Sequence, residues 1–313
     1  MRKVRLFYNP LSGRRRGRRQ AEVETAQAVL HSAGIEASIA ATKPGDAAGD
    51  QVKQAIAEGC DTVFACGGDG TVHDLLQALV GTEAVLGIIP LGTANSLAHD
   101  LRLPLSPMNA AKAALQADAR RIAVGKISYL DFNKTRRSRY FTVTVGIGVD
   151  AHLFYKLNPS AKRRLGMSAY YVKATHLWLT HPMEHFAVEF VENAESKRAE
   201  VSQLLAVRIE DFGGVLRELA PGASLQRSDL RLVLFRTRSR AAYLCYVMRG
   251  LLGTRWRVPG IELVHSSGVA CQTLSTAADF SRILVEADGE LLGTLPAEIS
   301  VVPDAVTILT PRR

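Results

Sequence analysis

The stretch Thr62–Val80, TVFACGGDGTVHDLLQALV, decides the fold of the N-terminal part of this chain. Its apolar start, Thr62–Ala65, predicts a buried strand, and the apolar spacing within Thr71–Val80 predicts the helix that follows. Between them lies the turn Gly67-Gly68-Asp69-Gly70, whose glycines let the backbone approach a phosphate closely. The helix N-terminus adds N–H donors. The stretch therefore predicts a phosphate-binding turn at the end of a strand.

Asp69 is an unusual residue for such a turn, because a carboxylate repels phosphate unless a cation lies between them. The sequence therefore indicates a nucleotide bound together with a metal ion. An alternative is that Asp69 is simply the N-cap of the following helix. The glycine spacing matches neither the dinucleotide-binding pattern GxGxxG nor the P-loop pattern GxxxxGK[ST].

Composition narrows the class of protein. The chain has 313 residues, 47% of them hydrophobic and 22% charged, which is typical of one large or two medium globular domains. Its four cysteines show no CxxC pair, so free thiols are expected rather than disulfides or a metal site. Neither a signal peptide nor a long apolar run is present in the sequence. We therefore expect a cytoplasmic protein.

The charge pattern points to an acidic partner. The net charge is +9, and basic residues cluster at positions 14–19, 136–139 and 162–164, the second cluster being expected in a hairpin loop. Nucleic acid is not predicted, because the sequence carries no helix-turn-helix, zinc-finger or RNA-binding aromatic signature. The acidic partners that the charge still favours are an anionic membrane and a phosphorylated ligand.

Residues 1–125 alternate strands and helices, which predicts parallel βαβ units and a doubly wound, Rossmann-like α/β domain. In such sheets ligands bind beyond the carboxyl ends of the strands. We therefore expect the turns 9–13, 67–71 and 90–95 to face one crevice. The predicted strands are Val4–Tyr8, Ile35–Ala40, Thr62–Ala65 and Val85–Ile89, and the predicted helices are Gln20–Ala33, Gly45–Glu58, Thr71–Val80 and Ser106–Gln116.

Residues 126–302 carry many short strand patterns, which predict a mainly antiparallel β-sandwich. The strands are expected at Ile122–Leu130, Tyr140–Gly148, Glu184–Val191, Gln203–Ile209, Leu230–Phe235, Ile261–His265, Ser267–Leu274, Ile283–Ala287 and Glu298–Val302. Helices are expected at Ser168–Thr180 and Ala241–Leu251. A last strand, Ala305–Leu309, could return to the first domain, so that residues 303–313 complete it.

Several further segments share the design of the glycine turn or carry short signatures. They are NPLSG at 9–13, TKPGDA at 42–47, GGDGT at 67–71, PLGTAN at 90–95, GIGVDA at 146–151, FGG at 212–214, APGA at 220–223 and DGE at 288–290. In this order they resemble the diacylglycerol-kinase catalytic-domain superfamily, which includes bacterial lipid kinases, sphingosine kinases and ceramide kinases. The resemblance covers nearly the whole chain.

The resemblance implies an ATP- and Mg²⁺-dependent lipid kinase with a nucleotide domain of the NAD-kinase kind and a lipid hydroxyl, such as that of diacylglycerol, as phosphoryl acceptor. It implies ATP in a cleft between the domains. The implied nucleotide contacts are Asn9, Ser12, Thr42, Gly67, Gly68, Asp69, Gly70, Thr71, Val72, His73, Thr93 and Asn95. Asp69 would organise the catalytic Mg²⁺, and Glu290 would accept the proton of the hydroxyl beside Asp288. A structural Mg²⁺ would lie at Asp229, with the carbonyls of Gln226 and Arg231.

Two physical arguments apply to Glu290. A tight Asp288-Gly289 turn after a strand could aim its carboxylate into the cleft, and burial near a second carboxylate would raise its pKa towards neutrality. Without the resemblance, a plain hairpin turn is the simpler interpretation of this sequence, because Asp-Gly is a preferred turn pair.

The sequence departs from the family pattern in three segments. His73-Asp74 stand where members often carry Asn-Glu, Ser96 stands where many carry Asp, and Asp229 is followed by Leu230 rather than Gly. The departures at His73 and Ser96 keep open a nucleotide- or lipid-binding module without catalysis. An NAD-kinase-like enzyme is the alternative among enzymes, since such enzymes also carry GGDGT-like runs.

A lipid kinase must reach a bilayer. Lys156–Leu179 is basic at its start and rich in aromatic residues and leucine later, which suits a peripheral membrane contact. A core-packed helix with a basic loop before it fits the same residues. The cluster Arg14–Arg19 could meet either ATP phosphates or membrane lipid. The sequence names neither the lipid nor the oligomeric state, and a homodimer stays open.

Overall fold

The structure is a computed structural model that describes residues 1–10, 18–43, 47–149, 151, 179–180, 182–213, 219–274 and 283–312. Within these ranges the strands are β1 Lys3–Tyr8, β2 Glu36–Ala41, β3 Thr62–Gly67, β4 Val85–Pro90, β5 Asp118–Leu130, β6 Arg136–Phe141, β7 Thr144–Gly148, β8 Phe186–Glu192, β9 Glu195–Val201, β10 Gln203–Val207, β11 Leu230–Phe235, β12 Ile261–Ser266, β13 Gly268–Thr273, β14 Leu284–Ala287 and β15 Glu290–Thr310. The helices are α1 Arg19–Ser32, α2 Ala47–Ala57, α3 Asp69–Leu79, α4 Ser96–Asp100, α5 Pro107–Leu115 and α6 Arg240–Leu251.

The chain divides into two units. The first unit contains Met1–Val124, Asp211–Gly214 and Val302–Arg313, and the second contains Gly125–Glu210 and Val215–Val301. The short excursion at 211–214 puts a piece of the later sequence into the first unit. The end of β15 does the same, so the first unit is built from three separate stretches of chain.

The first unit is built around a parallel sheet with the strand order β2-β1-β3-β4-β15. All six residues of β3 are buried, as expected of a strand in the middle of a sheet covered on both faces. Leu75, Leu76 and Leu79 of α3 are completely buried, which confirms the apolar face predicted for that helix. This is the predicted doubly wound α/β arrangement.

The second unit is mainly antiparallel, and its strands form a β-sandwich. One ladder runs β12-β11-β10-β7-β14-β15, and a second path joins β9, β8 and β13 to β15. A core of aliphatic and aromatic side chains fills the unit, including Phe141, Phe186, Leu232 and Val285. The predicted sandwich is confirmed.

Several local expectations for the second unit were wrong. The segment Tyr140–Gly148 is two strands, because Thr142 and Val143 leave the ladder and donate their N–H groups to Asp288. The basic cluster 136–139 lies in β6 and not in a hairpin loop. The turn before it is formed by Asp131, whose Oδ1 accepts the N–H groups of Asn133 and Thr135.

Other differences concern lengths and omissions. The two strands predicted at 298–302 and 305–309 belong to one strand, β15. The polar strand β9 and the short helix α4 carry too little apolar periodicity to be predicted. The helix expected at 168–180 lies outside the described residues apart from its last two positions. Among the helices that the structure describes, none is both long and apolar enough to cross a bilayer.

Gly87 of β4 offers a test of the packing of the first unit. A Cβ atom on Gly87 would lie 2.4 Å from Cε1 of Phe64 in the neighbouring strand. We expect Gly87→Ala to lower the free energy of unfolding by about 1–3 kcal/mol, because the buried ring would have to move.

Gly49 of α2 is the matched control, since its added Cβ would meet only the Cβ of Ala78 at 3.6 Å, an ordinary contact. Gly49→Ala should leave stability unchanged or raise it by up to about 1 kcal/mol. Denaturant unfolding of both variants makes the comparison. Equal effects would contradict this account of the sheet.

Candidate functional site

The carboxyl edge of the first unit's sheet gathers the residues that the sequence singled out. The register places Tyr8 beside Ala41 and Cys66, and Gly67 beside Pro90, so these strands end at one edge. The residues that follow them therefore share that edge, as predicted. These are Asn9, Thr42, the Gly67–His73 segment, Thr93 and Asn95. Ser12 and most of the turn 9–13 lie outside the described residues.

The turns after β3 and β4 touch each other through backbone atoms. A Cβ on Gly92 would lie 2.4 Å from the Cα of Gly68, and the N–H of Leu91 donates to the carbonyl of Gly67 at 2.8 Å. A Cβ on Gly67 would meet the Thr71 hydroxyl at 2.2 Å. Gly67, Gly68 and Gly92 are therefore required by close packing of the turns themselves.

Asp69 bridges these two turns. Gly68 is the N-cap of α3, so the interpretation of Asp69 as the N-cap is wrong. The Asp69 carboxylate instead accepts the N–H groups of Ser96 at 3.1 Å and Leu97 at 3.2 Å, which are the first two residues of α4. A carboxylate at a helix N-terminus satisfies donors that lack a partner within the helix and complements its dipole. Asp69 thus caps the other turn's helix.

Asn95 shapes the second turn from within. Its backbone has a φ of 52°, in the left-handed region that asparagine tolerates better than most residues. Its Oδ1 accepts the N–H of Gly92 at 2.8 Å, and its Nδ2 donates to the Gly92 carbonyl at 3.2 Å. The amide predicted for a nucleotide contact is therefore engaged with its own turn.

Burial separates the predicted nucleotide contacts into two groups. Thr71, Val72 and His73 are buried on α3, and Asn95 is buried as well. Gly68, Asp69 and Gly70 are partly accessible, as are Asn9 and Thr42, and Thr93 is exposed. The partly accessible or exposed residues are the ones that a ligand at this edge could contact. The buried residues hold the turns in place.

A third contribution comes from a segment that the sequence noted without assigning it a role. The N–H of Asp211 donates to Asp100 at the end of α4, 3.1 Å away. Gly213 has a φ of 76°, and a Cβ there would lie 2.4 Å from the ring of His99. Residues so far apart in sequence give no local signal of contact, which is why the sequence missed this support of α4.

In the second unit, Asp288 occupies a buried turn. Its carboxylate accepts three backbone N–H groups, from Thr142 at 3.0 Å, Val143 at 2.9 Å and Thr144 at 3.0 Å. Asp288 and Gly289 both have positive φ, at 49° and 84°, as a two-residue hairpin turn requires. Asp288 therefore fixes the geometry of the turn that ends β14 and begins β15.

Glu290 is the first residue of β15 and is exposed. The burial that the sequence argument assumed for Glu290 is therefore not found. The Asp288-Gly289 turn itself is present, and its aiming of Glu290 into a cleft stays a prediction. That side chain follows directly after the anchored Asp288-Gly289 pair.

The residues around Asp229 do not fit the implied structural Mg²⁺. Arg227 donates to both oxygens of the Asp229 carboxylate, at 2.7 and 2.6 Å, and this hydrogen bonding lowers the pKa of Asp229. The Asp229 carbonyl accepts from Arg208, which also donates to the Leu225 carbonyl at 3.2 Å. His265 Nδ1 lies 3.5 Å from the same carboxylate.

A hard cation needs several oxygen ligands. Here the carboxylate is surrounded by positively charged or neutral nitrogen groups, and Gln226 is exposed. Burial lowers the pKa of Arg208 to about 10 and also lowers the pKa of Arg231. No cluster of three acidic, histidine or cysteine side chains occurs in the described ranges. Guanidinium groups hold this loop.

Comparison with known proteins matches two segments of the chain to two family models. Residues 3–127 match the model of the diacylglycerol kinase catalytic domain, and residues 143–310 match that of the YegS C-terminal NAD kinase beta sandwich-like domain. A diacylglycerol kinase of Mycobacterium tuberculosis is 30% identical over 313 residues, covering 99% of this chain and 96% of its own. One from Bacillus subtilis is 26% identical over 316 residues, covering 100% and 97%.

Solved structures show the same fold. A diacylglycerol kinase from Bacillus anthracis superposes with a TM-score of 0.69 at 21% identity, covering 98% of this chain and 96% of its own. Yeast NADH kinase, solved with NADH, superposes with a TM-score of 0.52 at 13% identity, covering 100% and 84%. The NAD-kinase-like fold predicted for the nucleotide domain is confirmed.

The bridge made by Asp69 can be tested by substitution. We expect Asp69→Ala to lower the free energy of unfolding by about 1–3 kcal/mol, because two N–H groups of α4 lose their acceptor. Asp69→Asn, which keeps one acceptor oxygen, should fall between Asp69→Ala and the unsubstituted protein. Chemical denaturation measures all three.

The control for that experiment is Asp50→Ala, since Asp50 lies in the first turn of α2 and is exposed. It should change the free energy of unfolding by no more than about 0.5 kcal/mol. If Asp69→Ala were as mild as Asp50→Ala, Asp69 would not connect the two turns.

Because Arg227 and Arg208 hold the loop around Asp229, we expect the thermal stability of the protein not to depend on Mg²⁺. In the absence of nucleotide, the thermal midpoint should be the same with Mg²⁺ and with EDTA. A thermal midpoint that rises with Mg²⁺, and no longer does so in Asp229→Asn, would show that a metal site exists at Asp229. Arg227→Gln should lower the midpoint at neutral pH, because the bidentate partner of Asp229 is lost.

The dependence of stability on pH in the acidic range gives an independent check of the Arg227–Asp229 pair. The pKa of Asp229 is lowered in the folded state, so its contribution is complete above the ordinary value of about 3.9 and is lost as pH falls through the lowered pKa. Arg227→Gln should flatten this loss. Unfolding curves collected between neutral and acidic pH would show it.

Proposed function

Since the chain belongs to the diacylglycerol kinase family and is a phosphotransferase, we propose that it transfers the γ-phosphate of ATP to a lipid hydroxyl, with diacylglycerol as the first candidate acceptor. The observation that carries this proposal is the direct contact between the turns after β3 and β4. It creates a glycine-lined surface at the carboxyl edge of a parallel sheet, where α/β folds bind nucleotides.

We propose residues 1–125 with 303–313 as the nucleotide domain and residues 126–302 as the lipid domain. The division into two units supports this, because the end of β15 pairs with β4 in the first unit. ATP would contact the accessible members of the first unit's edge: Asn9, Thr42, Gly68, Gly70 and Thr93. Ser12 belongs to the proposal by its position in the sequence.

Phosphoryl transfer depends mainly on positioning and charge neutralisation. The N-terminus of α3 supplies N–H groups beside Gly68 and Gly70 for the phosphates. The first two N–H groups of α4 are engaged with Asp69, so they do not serve the phosphates in this arrangement. A carboxylate suits Mg²⁺, which would neutralise phosphate charge, and Asp69 is a partly accessible acidic side chain at this edge.

The acceptor side is proposed around Glu290. Its carboxylate would accept the proton of the lipid hydroxyl as the oxygen attacks the γ-phosphate. Asp288 would act as a positioning residue, since its carboxylate is engaged with three backbone N–H groups. An exposed Glu290 in the free protein is accessible to an incoming lipid headgroup.

The activity is tested by a phosphotransfer assay with radiolabelled ATP and Mg²⁺. The acceptors are diacylglycerol, ceramide and sphingosine in mixed micelles, with NAD in parallel. We expect labelled phosphatidic acid from diacylglycerol. Labelled NADP in place of labelled lipid would assign the chain to NAD kinases, and no product from any acceptor would leave only a binding module.

The role of Glu290 is tested by Glu290→Gln, which keeps the size of the side chain and removes its basicity. We expect kcat to fall by about 10²- to 10⁴-fold, with the KM for ATP changed little. Glu298→Gln is the control, because Glu298 is also an exposed glutamate on β15. Comparable kcat values for the two variants would exclude Glu290 as the base.

A further inference from the structure

The helix α6 and the residues after it carry an apolar surface that points away from the core. Leu244, Val247, Met248 and Leu251 follow the spacing i, i+3, i+4, i+7, which normally marks the face that a helix buries. Here these four side chains are 41–54% exposed. Leu252 and Trp256, 60% and 44% exposed, extend the surface. These six residues are called the apolar face below.

The other side of α6 is already fully used in packing. Tyr243 and Tyr246 are buried, with ring centroids 4.5 and 5.3 Å from that of Phe235. The Tyr246 hydroxyl donates to the Leu219 carbonyl at 2.6 Å, and the Tyr243 hydroxyl lies 2.8 Å from that of Ser202. The orientation of α6 is therefore fixed by its own core contacts, and the apolar face has no role in them.

Positive charge flanks the apolar face. The segment 236–257 contains six arginines and neither aspartate nor glutamate. Of these, Arg236, Arg238, Arg255 and Arg257 are exposed, and Arg236 also pairs with Glu262 at 3.2 Å. An apolar helix face flanked by arginines, with a tryptophan at its edge, is the composition of a helix lying in the surface of an anionic bilayer.

We propose that the apolar face and its flanking arginines dock this protein onto an anionic lipid surface. The charge favours this occupant over a second copy of the chain, because a two-fold interface would bring each set of arginines against the same set. Docking would bring the enzyme to an acceptor that lies in a bilayer, and this consequence rests on the proposed lipid kinase function. The surface consists of other residues than Lys156–Leu179, the segment for which the sequence predicted membrane contact and which lies almost wholly outside the described residues.

The experiment measures binding of the full chain to vesicles by sedimentation, without ATP. Vesicles of phosphatidylcholine alone are compared with vesicles of phosphatidylcholine and phosphatidylglycerol. We expect binding that requires phosphatidylglycerol. Leu244→Gln/Met248→Gln should lower the partition coefficient at least tenfold. Arg255→Gln/Arg257→Gln should lower it about 25-fold at low salt, on the order of fivefold for each arginine.

Matched controls lie elsewhere on the surface. Phe132 is 57% exposed in the second unit, and Arg120 is exposed on β5, so Phe132→Gln and Arg120→Gln remove the same kinds of group. Both should bind vesicles like the unsubstituted protein. Circular dichroism confirms that each variant is folded. In a Trp178→Phe background, the emission of Trp256 should shift to the blue when anionic vesicles are added.

Two results would overturn the proposal. One is vesicle binding by Leu244→Gln/Met248→Gln equal to that of the controls. The other is a dimer, seen by light scattering, that this double variant converts to a monomer without change in vesicle binding. Activity towards short-chain diacylglycerol in micelles is measured separately. If this activity is absent, the proposed function is wrong. The vesicle-binding measurement still tests the docking surface independently.

Discussion

The contact between Gly68 and Gly92, secured by the Asp69 carboxylate, is the constraint on which the first unit's site depends. Two turns that follow adjacent strands meet at backbone distance, where no side chain fits between them. The first N–H groups of α4 have no partner within the helix, and Asp69 supplies their acceptor. An acidic residue between glycines, puzzling for a phosphate turn, therefore has a structural role before any cation is considered.

Two acidic residues of the motifs, Asp69 and Asp288, use the same chemistry in different settings. Asp69 accepts two backbone N–H groups from a helix start, and Asp288 accepts three, two from the residues between β6 and β7 and one from the first residue of β7. In both cases a carboxylate organises backbone that could not be satisfied by a regular ladder or helix. Glu290, two residues after Asp288, is exposed, and its role as proton acceptor is our proposal.

The sequence was informative where a signal is local. The run from Thr62 to Val80 predicted its strand, turn and helix, because alternation of apolar residues and glycine placement act within a few residues. It could not show Asp69 reaching Ser96, or Asp211 reaching Asp100, since those partners are joined only by the fold. It predicted a helix at 241–251, but periodicity cannot say that one apolar stripe of that helix faces outward.

The single long strand β15 has a consequence for biosynthesis. Its pairing of Ile308 with Leu86 adds to the first unit's sheet a strand that follows the other four only after the second unit's sequence. On the ribosome, β1 to β4 emerge early and wait with one sheet edge open until the second unit and β15 have been translated. An exposed parallel edge is a template for mispairing. Chaperone demand should therefore depend on the delay between the synthesis of β4 and that of β15.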